Sequence, residues 1–317
     1  MTPYFRVAMI GTGRIAQVIA SALAKSKDMK IVAAASRERE RAEIFARKNH
    51  ISAVYDSYDA LIDADGYDLI YISTVNPTHF EIAKKCLAAK KAVLIEKPAC
   101  LTLSEVQELI TLSESTGTFF AEAMPIRYAS GMRRVIELIE SDAIGQVRLL
   151  MSNIGINSWS VERIRSKELG GGALYDLGVY GITLSDMLFP GLDGDIRSLS
   201  NPDNGVDAQS SVIISYPGAQ SILFNSVKLQ TKGCAVIYGD KGRIFIKKAY
   251  SAERIVKFAG FRHISIYRSK KSRYLEEFES CMRAVSAGKR EPAEYPHAQI
   301  LKTYGMLEKI QEDWSKL

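Results

Sequence analysis

Short, largely apolar runs at residues 5–10, 31–35, 69–72 and 92–95 alternate with longer stretches at 15–24, 39–49 and 78–89. The runs are rich in Val, Ile and Ala and have the length of strands buried on both faces. The longer stretches repeat apolar residues three and four apart, the period of a helix with one buried face. In the last of them Phe80, Ala83, Lys84 and Leu87 keep that spacing, and Thr78 stands where an N-cap belongs. Strand–helix–strand repetition predicts a doubly wound parallel sheet with right-handed crossovers, a Rossmann-type α/β fold.

Beyond residue 123 the pattern changes. Residues 146–156 and 206–216 read as long strands, and Pro217-Gly218 turns the second directly into another at 220–228. Strands at 234–238, 243–247 and 254–258 follow at turn-length intervals, with Gly239-Asp240-Lys241-Gly242 as a hairpin loop. Consecutive strands without intervening helices predict a largely antiparallel, open-faced sheet. Helical stretches at 174–188, 275–286 and 298–313 are expected to cover one of its faces, completing an α+β half. The chain therefore divides into a parallel α/β domain at 1–122 and an α+β domain at 123–317. Its 317 residues exceed the size at which a single core stops growing.

Composition narrows the classes. With 47% hydrophobic and 25% charged residues the chain is expected to fold as an ordinary globular protein. No apolar run reaches the roughly 18–20 residues of a membrane span, and the opening residues lack the order of a secretory signal. Four cysteines, at 86, 100, 234 and 281, are too few and too scattered for a disulfide framework, which fits a reducing cytoplasm. A net charge of +6 is modest, and most cations are interleaved with acids, so nucleic acid is not an expected partner. One stretch is lopsided: residues 262–273 carry Arg268, Lys270, Lys271 and Arg273 with no acid. It reads either as an exposed loop or as an electrostatic lure for a phosphorylated ligand or cofactor. His50, His79, His263 and His297 show no metal-ligand spacing, so no metal is expected.

Several clusters carry chemistry. Gly11-Thr12-Gly13-Arg14-Ile15-Ala16 is G-x-G-x-x-A directly after the first strand. The first glycine permits a tight turn, the second admits a pyrophosphate to the backbone, and the helix N-terminus favours its charge. The second strand ends in Ser36-Arg37, where NAD-preferring sites place an acid for the ribose hydroxyl. An arginine fork pairs instead with a 2′-phosphate, which favours NADP over NAD. The competing reading leaves Arg37 exposed and gives the acid's role to Glu38. Thr74, Asn76, Pro77 and His79, together with Glu96 and Lys97, lie after later strands, where an open α/β sheet meets its ligand. Lys97 follows an apolar strand directly, so its ammonium is expected in a partly desolvated setting. Downstream, Gly170-Gly171-Gly172 opens a helix carrying Asp176 and Tyr180 four residues apart, hence on one face. A capping acid and a half-buried tyrosine would explain the same letters.

Together these stretches resemble the glucose–fructose oxidoreductase / inositol dehydrogenase / MocA family, over essentially the whole chain. Many members carry His where this chain has Tyr180. Tyrosine there, with the Ser36-Arg37 ending, is similar to the dimeric dihydrodiol dehydrogenase and NADP-dependent xylose dehydrogenase branch. The resemblance implies hydride transfer between nicotinamide and a CH–OH or C=O carbon of a sugar, polyol, dihydrodiol or small dicarbonyl. It implies Lys97 beside the reacting carbon, a frequently cis Lys97–Pro98 bond, Tyr180 as proton carrier and Asp176 as hydrogen-bond acceptor. It also implies a homodimer paired through the open sheet. Arg127, Tyr128, Trp159 and Arg163 are the expected substrate contacts. Some members bind the nucleotide without catalysis and act as regulators, the alternative function.

Overall fold

The computed structural model describes residues 4–259, 262–269 and 271–316, with only the backbone described at 259 and 262–264. Lys270 of the basic stretch, the side chain of His263 and the opening residues 1–3 thus lie outside the described residues. Two compact units are present, and neither is continuous in sequence. One comprises Met1–Met124 and Tyr274–Leu301, the other Pro125–Arg273 and Lys302–Leu317.

The first unit is built on β1 (Phe5–Ile10), β2 (Met29–Ala35), β3 (Ala53–Tyr55), β4 (Leu69–Ile72), β5 (Val93–Glu96) and β6 (Phe120–Ala123). All pair in parallel, in the order β3-β2-β1-β4-β5-β6. That order reverses direction beside β1, the switch point at which such sheets bind ligands. β4, β5 and β6 are buried at every position; the first two show as apolar runs in the sequence, whereas β6 is interrupted by Glu122 and does not. Between the strands lie α1 (Arg14–Leu23), α2 (Arg39–Asn49), α3 (Tyr58–Asp63), α4 (His79–Ala88) and α5 (Leu103–Thr116). A capping box opens α5, with Thr102 accepting from Glu105 N–H and Glu105 reaching back.

The second unit opens with α6 (Pro125–Tyr128) and α7 (Ser130–Glu140), then β7 (Val147–Gly155), α8 (Glu162–Arg165), a π-helical turn (Leu174–Gly178) and α9 (Val179–Leu188). Seven strands follow: β8 (Asp195–Asp203), β9 (Val206–Tyr216), β10 (Ala219–Ser226), β11 (Cys234–Gly239), β12 (Arg243–Lys247), β13 (Arg254–Ala259) and β14 (Arg262–Arg268). The sheet order is β14-β13-β12-β11-β7-β10-β9-β8. Every pairing is antiparallel except β7 with β10, which are far enough apart in sequence for a crossover connection.

Three expectations change. The basic stretch does not begin as a loop, because residues 262–268 form edge strand β14. A strand at 195–203 escaped the sequence pattern because only Ile196 and Ser198 along it are buried while Leu199 is exposed, so no apolar alternation shows. Helix α10 (Arg273–Ser286) does not cover the antiparallel sheet. Leu275, Phe278, Cys281 and Ala284, three apart, join Val7, Met9 and Tyr71 in the first unit's core, with the Phe278 and Tyr71 rings 5.3 Å apart. Helical spacing reveals that a face is apolar but not what it packs against. The chain closes with α11 (His297–Trp314), within which the division between units falls.

Candidate active site

The turn after β1 has the geometry its letters call for. Gly11 has φ +97°, and a Cβ there would lie 2.7 Å from the Ser73 carbonyl oxygen, so only glycine fits between β1 and β4. Gly13 is the N-cap of α1, with no side chain capping the helix amides and no acid in the first turn. A Cβ on Gly13 would meet nothing within 4 Å, and Ala16 is fully buried. Thr12 and Ile15 are half-buried and Arg14 is exposed around the same helix start. These residues fit a dinucleotide pyrophosphate: a helix N-terminus that no side chain caps, reached through a glycine turn.

Ser36 and Arg37 follow β2, the first buried and the second exposed. They open onto a cavity of about 310 Å³ whose wall includes Tyr58 and Ile62. Burial raises the Tyr58 phenol, opposed by the Arg37 charge and a hydrogen bond from the Arg37 backbone. Two carboxylates of the cavity are already matched, Asp59 by Lys85 at 2.8 Å and Asp56 by Arg39. Glu38, the alternative ribose partner, is ion-paired with Arg41 at 2.9 Å.

After β4, Asn76–Thr78 form a 3₁₀ turn with Asn76 buried and Pro77 exposed. The Thr78 hydroxyl donates to the Val75 carbonyl and to Thr74 Oγ1, both at 2.8 Å, so Thr78 occupies the N-cap position without capping α4. His79, expected at the cofactor, is buried, with Nδ1 2.9 Å from the Pro98 carbonyl and Nε2 3.3 Å from that of Thr74. It ties two loops together. Glu96, also expected there, is buried against the Tyr71 phenol, and desolvation raises its pKa. Ala99 N–H donates to Glu122 Oε1 at 2.9 Å, and the Tyr295 hydroxyl donates to Oε2 at 3.0 Å. These buried groups grip the loop on both sides of Lys97, whose peptide bond to Pro98 is cis and whose side chain is half-buried. Tyr71, Glu122 and Tyr295 do not stand out in the sequence. The one visible signal is a lone glutamate in the buried strand Phe120-Ala121-Glu122-Ala123.

In the second unit, Gly172 has φ +108°, and a Cβ there would lie 2.1 Å from Asp207 Oδ1. Asp207, on β9, accepts the Leu174 N–H at 2.7 Å and so caps the π turn from a distant strand. Burial pushes its carboxyl up to about 7, against hydrogen bonds from the backbone of Leu174, Ala173 and Asp207 itself. The Val179 N–H reaches back to the Leu174 carbonyl, one residue further than in an α-helix, and α9 continues from there. The widened turn carries Asp176, and the first turn of α9 carries Tyr180; both are half-buried. Arg163 pairs with Asp176 at 2.9 Å, so two predicted site residues meet. The Tyr180 ring lies 6.3 Å from that of Tyr250. Trp159 is covered by the Lys228 ammonium, 4.6 Å from the ring centre.

Two expected substrate contacts lie in the interior instead. Arg127 is buried in an ion pair with Asp186, which Lys302 also reaches at 2.9 Å, and Tyr128 is fully buried. A buried guanidinium needs a carboxylate partner, and this pairing takes up the charge that was expected to meet a ligand.

Residues 5–123 match the family model described as "Oxidoreductase family, NAD-binding Rossmann fold", and residues 132–245 match the GFO/IDH/MocA C-terminal domain. The chain is 32% identical over 232 residues to a trans-1,2-dihydrobenzene-1,2-diol dehydrogenase of Xenopus tropicalis, covering 72% of this chain and 70% of the relative. The Mus musculus enzyme of that name is 31% identical over 256 residues, covering 79% and 77%. Among solved structures, an aldose-aldose oxidoreductase from Caulobacter crescentus superposes with a TM-score of 0.90 at 20% identity, over 99% of this chain and 98% of that one. A 3-ketoreductase from Actinomadura kijaniata, in complex with NADP and TDP-benzene, gives 0.89 at 20% identity over 98% of both chains. The parallel sheet with its glycine turn, the separate open sheet and the sequence relatives agree: this chain belongs to the GFO/IDH/MocA oxidoreductase family, within reach of its dihydrodiol dehydrogenases.

Proposed function

We propose that this chain is an NADP(H)-dependent oxidoreductase acting on the CH–OH or C=O carbon of a sugar, polyol, dihydrodiol or small dicarbonyl. The observation that carries the reading is the framework around Lys97. Buried Glu96, Glu122, His79, Tyr71 and Tyr295 are committed to holding one short loop, and Lys97 is the ionisable side chain that loop leaves half-exposed. Burying that many polar groups is costly unless each is satisfied, so such a framework is expected where one side chain must be held in place.

The amides of Gly13 and the first turn of α1, with Thr12 and Ile15, would hold the pyrophosphate, and Ser36 and Arg37 the 2′-phosphate. Thr74, Asn76 and Pro77 are the proposed neighbours of the nicotinamide end. When bound, the dinucleotide supplies or accepts the hydride at its nicotinamide C4. Lys97 orients the substrate oxygen through its ammonium, and Tyr180 exchanges the hydroxyl proton with that oxygen at its own Oη. Asp176, paired with Arg163, fixes the polar edge of the substrate pocket, with Trp159 beside it. General acid–base help of this kind is worth about 10²–10⁴-fold.

The first unit is the proposed dinucleotide-binding part and the second the substrate-binding part. Pairing of two copies through the open sheet is supported by Met151, Ile222 and Ile213, in register across β7, β10 and β9 and 43%, 37% and 42% exposed. Cys86, Cys100, Cys234 and Cys281 are free thiols, consistent with the cytoplasm. No helix of the described residues is long and apolar enough to cross a membrane.

The test is a panel of aldoses, ketoses, polyols, dihydrodiols and dicarbonyls assayed with NADP(H) and NAD(H) at the reduced-nicotinamide absorbance. Substrate-dependent change with the NADP pair is expected. Tight NADP binding without any change across the panel would favour the non-catalytic, nucleotide-sensing alternative.

A further inference from the structure

The function proposed above leaves the basic stretch of the sequence without a role, and in the second unit that stretch forms a concavity. Lys247 and Lys248 at the end of β12, Arg254 at the start of β13, Arg268 at the end of β14, and Lys271 and Arg273 beyond it line a cavity of about 590 Å³. Its one carboxylate, Glu253, is already shared between Arg273 at 3.3 Å and Lys248 at 3.6 Å. Ser269 and Ser272 add hydroxyls to the same wall. The Nε of Arg254 is buried and has no hydrogen-bond acceptor among the described residues. Lysines on an edge strand commonly serve only to discourage pairing with other sheets. That role asks for neither a concavity nor a buried guanidinium nitrogen left without an acceptor.

We propose that this cavity is a binding site for the phosphoryl group of a small phosphorylated ligand. A phosphate dianion offers several acceptor oxygens, matches guanidinium forks bidentately, and relieves the mutual repulsion of cations gathered around one carboxylate. The site is tied to the proposed chemistry through Tyr250. The Arg273 guanidinium lies 5.9 Å from the Tyr250 ring centre, and that ring is 6.3 Å from Tyr180. Tyr250 thus neighbours both a cation of the cavity wall and the proposed proton carrier. Two sources share this chemistry, a phosphorylated substrate and a free phosphorylated effector. The first rests on the function proposed above, whereas binding itself does not.

Pyrophosphate binding to the full chain is measured by titration calorimetry at constant ionic strength and saturating NADP⁺, for wild type, Arg254→Gln, Arg268→Gln and Arg37→Ala. Saturable binding that weakens at least tenfold in Arg254→Gln and Arg268→Gln, and is retained in Arg37→Ala, is expected. Arg268 is exposed, so its variant stays informative if Arg254→Gln folds poorly. No saturable binding, or binding lost in Arg37→Ala but unchanged in both cavity variants, overturns the proposal. A second arm compares turnover of an aldose with that of its phosphate ester. An Arg268→Gln loss in kcat/KM confined to the ester identifies the ligand as substrate; equal turnover with lost pyrophosphate binding identifies it as effector. The binding arm decides whether the site exists even if no substrate is turned over.

Discussion

Arg37 is the proposed determinant of the cofactor. Its exposed guanidinium stands beside buried Ser36 at the mouth of a cavity, and no ion pair to a carboxylate engages it among the described residues. A charge-assisted hydrogen bond contributes about 1.5–3 kcal/mol, so Arg37→Ala should weaken NADPH by about tenfold to a hundredfold. NADH, lacking the phosphate, should change little, and fluorescence titration of both cofactors checks this. Equal weakening would make the arginine structural. Arg37 and Lys97 are legible in the sequence because each follows a strand end in a local motif. Tyr71, Glu122 and Asp207 are not, because what they do depends on partners 20 or more residues away in the chain. Arg127 misleads for the same reason: its letter announces a cation but not the buried Asp186 that absorbs it.

Among the elements, the π turn ahead of α9 depends on a carboxylate borrowed from β9. Folding raises the Asp207 pKa from 3.8 to about 7, so the folded protein holds a proton that the unfolded chain has released across that interval. The stability this group contributes is therefore full below about pH 4 and is lost as pH rises towards 7. Asp207→Asn keeps an acceptor oxygen for the Leu174 N–H but has no charge to neutralise. Urea denaturation from pH 4 to 8 should show wild type losing on the order of 2–4 kcal/mol more than the variant. Parallel profiles would show that Asp207 does not titrate in that range. β1, β2, β4 and β5 are readable because burial on both faces leaves largely apolar runs, whereas three-residue β3 and Glu122-bearing β6 are not. β8 and β14 escape because these edge strands expose Leu199 and Ile266, so apolar letters do not mark a buried face. The helix at 273–286 shows its amphipathic face in sequence, while its docking beside Tyr71 is a tertiary fact.

For the whole molecule, the exposed row of Met151, Ile222 and Ile213 is expected to be covered by a second copy. In a two-fold interface each substitution occurs twice. Burying a lysine there without a partner should weaken dimerisation by at least about a hundredfold. Light scattering should then report a dimer for wild type and a monomer for Ile222→Lys, with secondary structure unchanged. A wild-type monomer, or a variant that stays dimeric, would exclude this face. The central proposal is that Lys97 and Tyr180 both serve the hydride-transfer step. Single-turnover kinetics with the best substrate of the panel, followed at the reduced-nicotinamide absorbance in Lys97→Ala, Tyr180→Phe and the double variant, tests it most directly. Tyr180→Phe should slow the step at least about tenfold, Lys97→Ala should nearly abolish it with NADPH affinity intact, and the double variant should be no slower than Lys97→Ala, because groups acting as a unit are not additive. Wild-type rates in both single variants, or losses that multiply in the double variant, would contradict it.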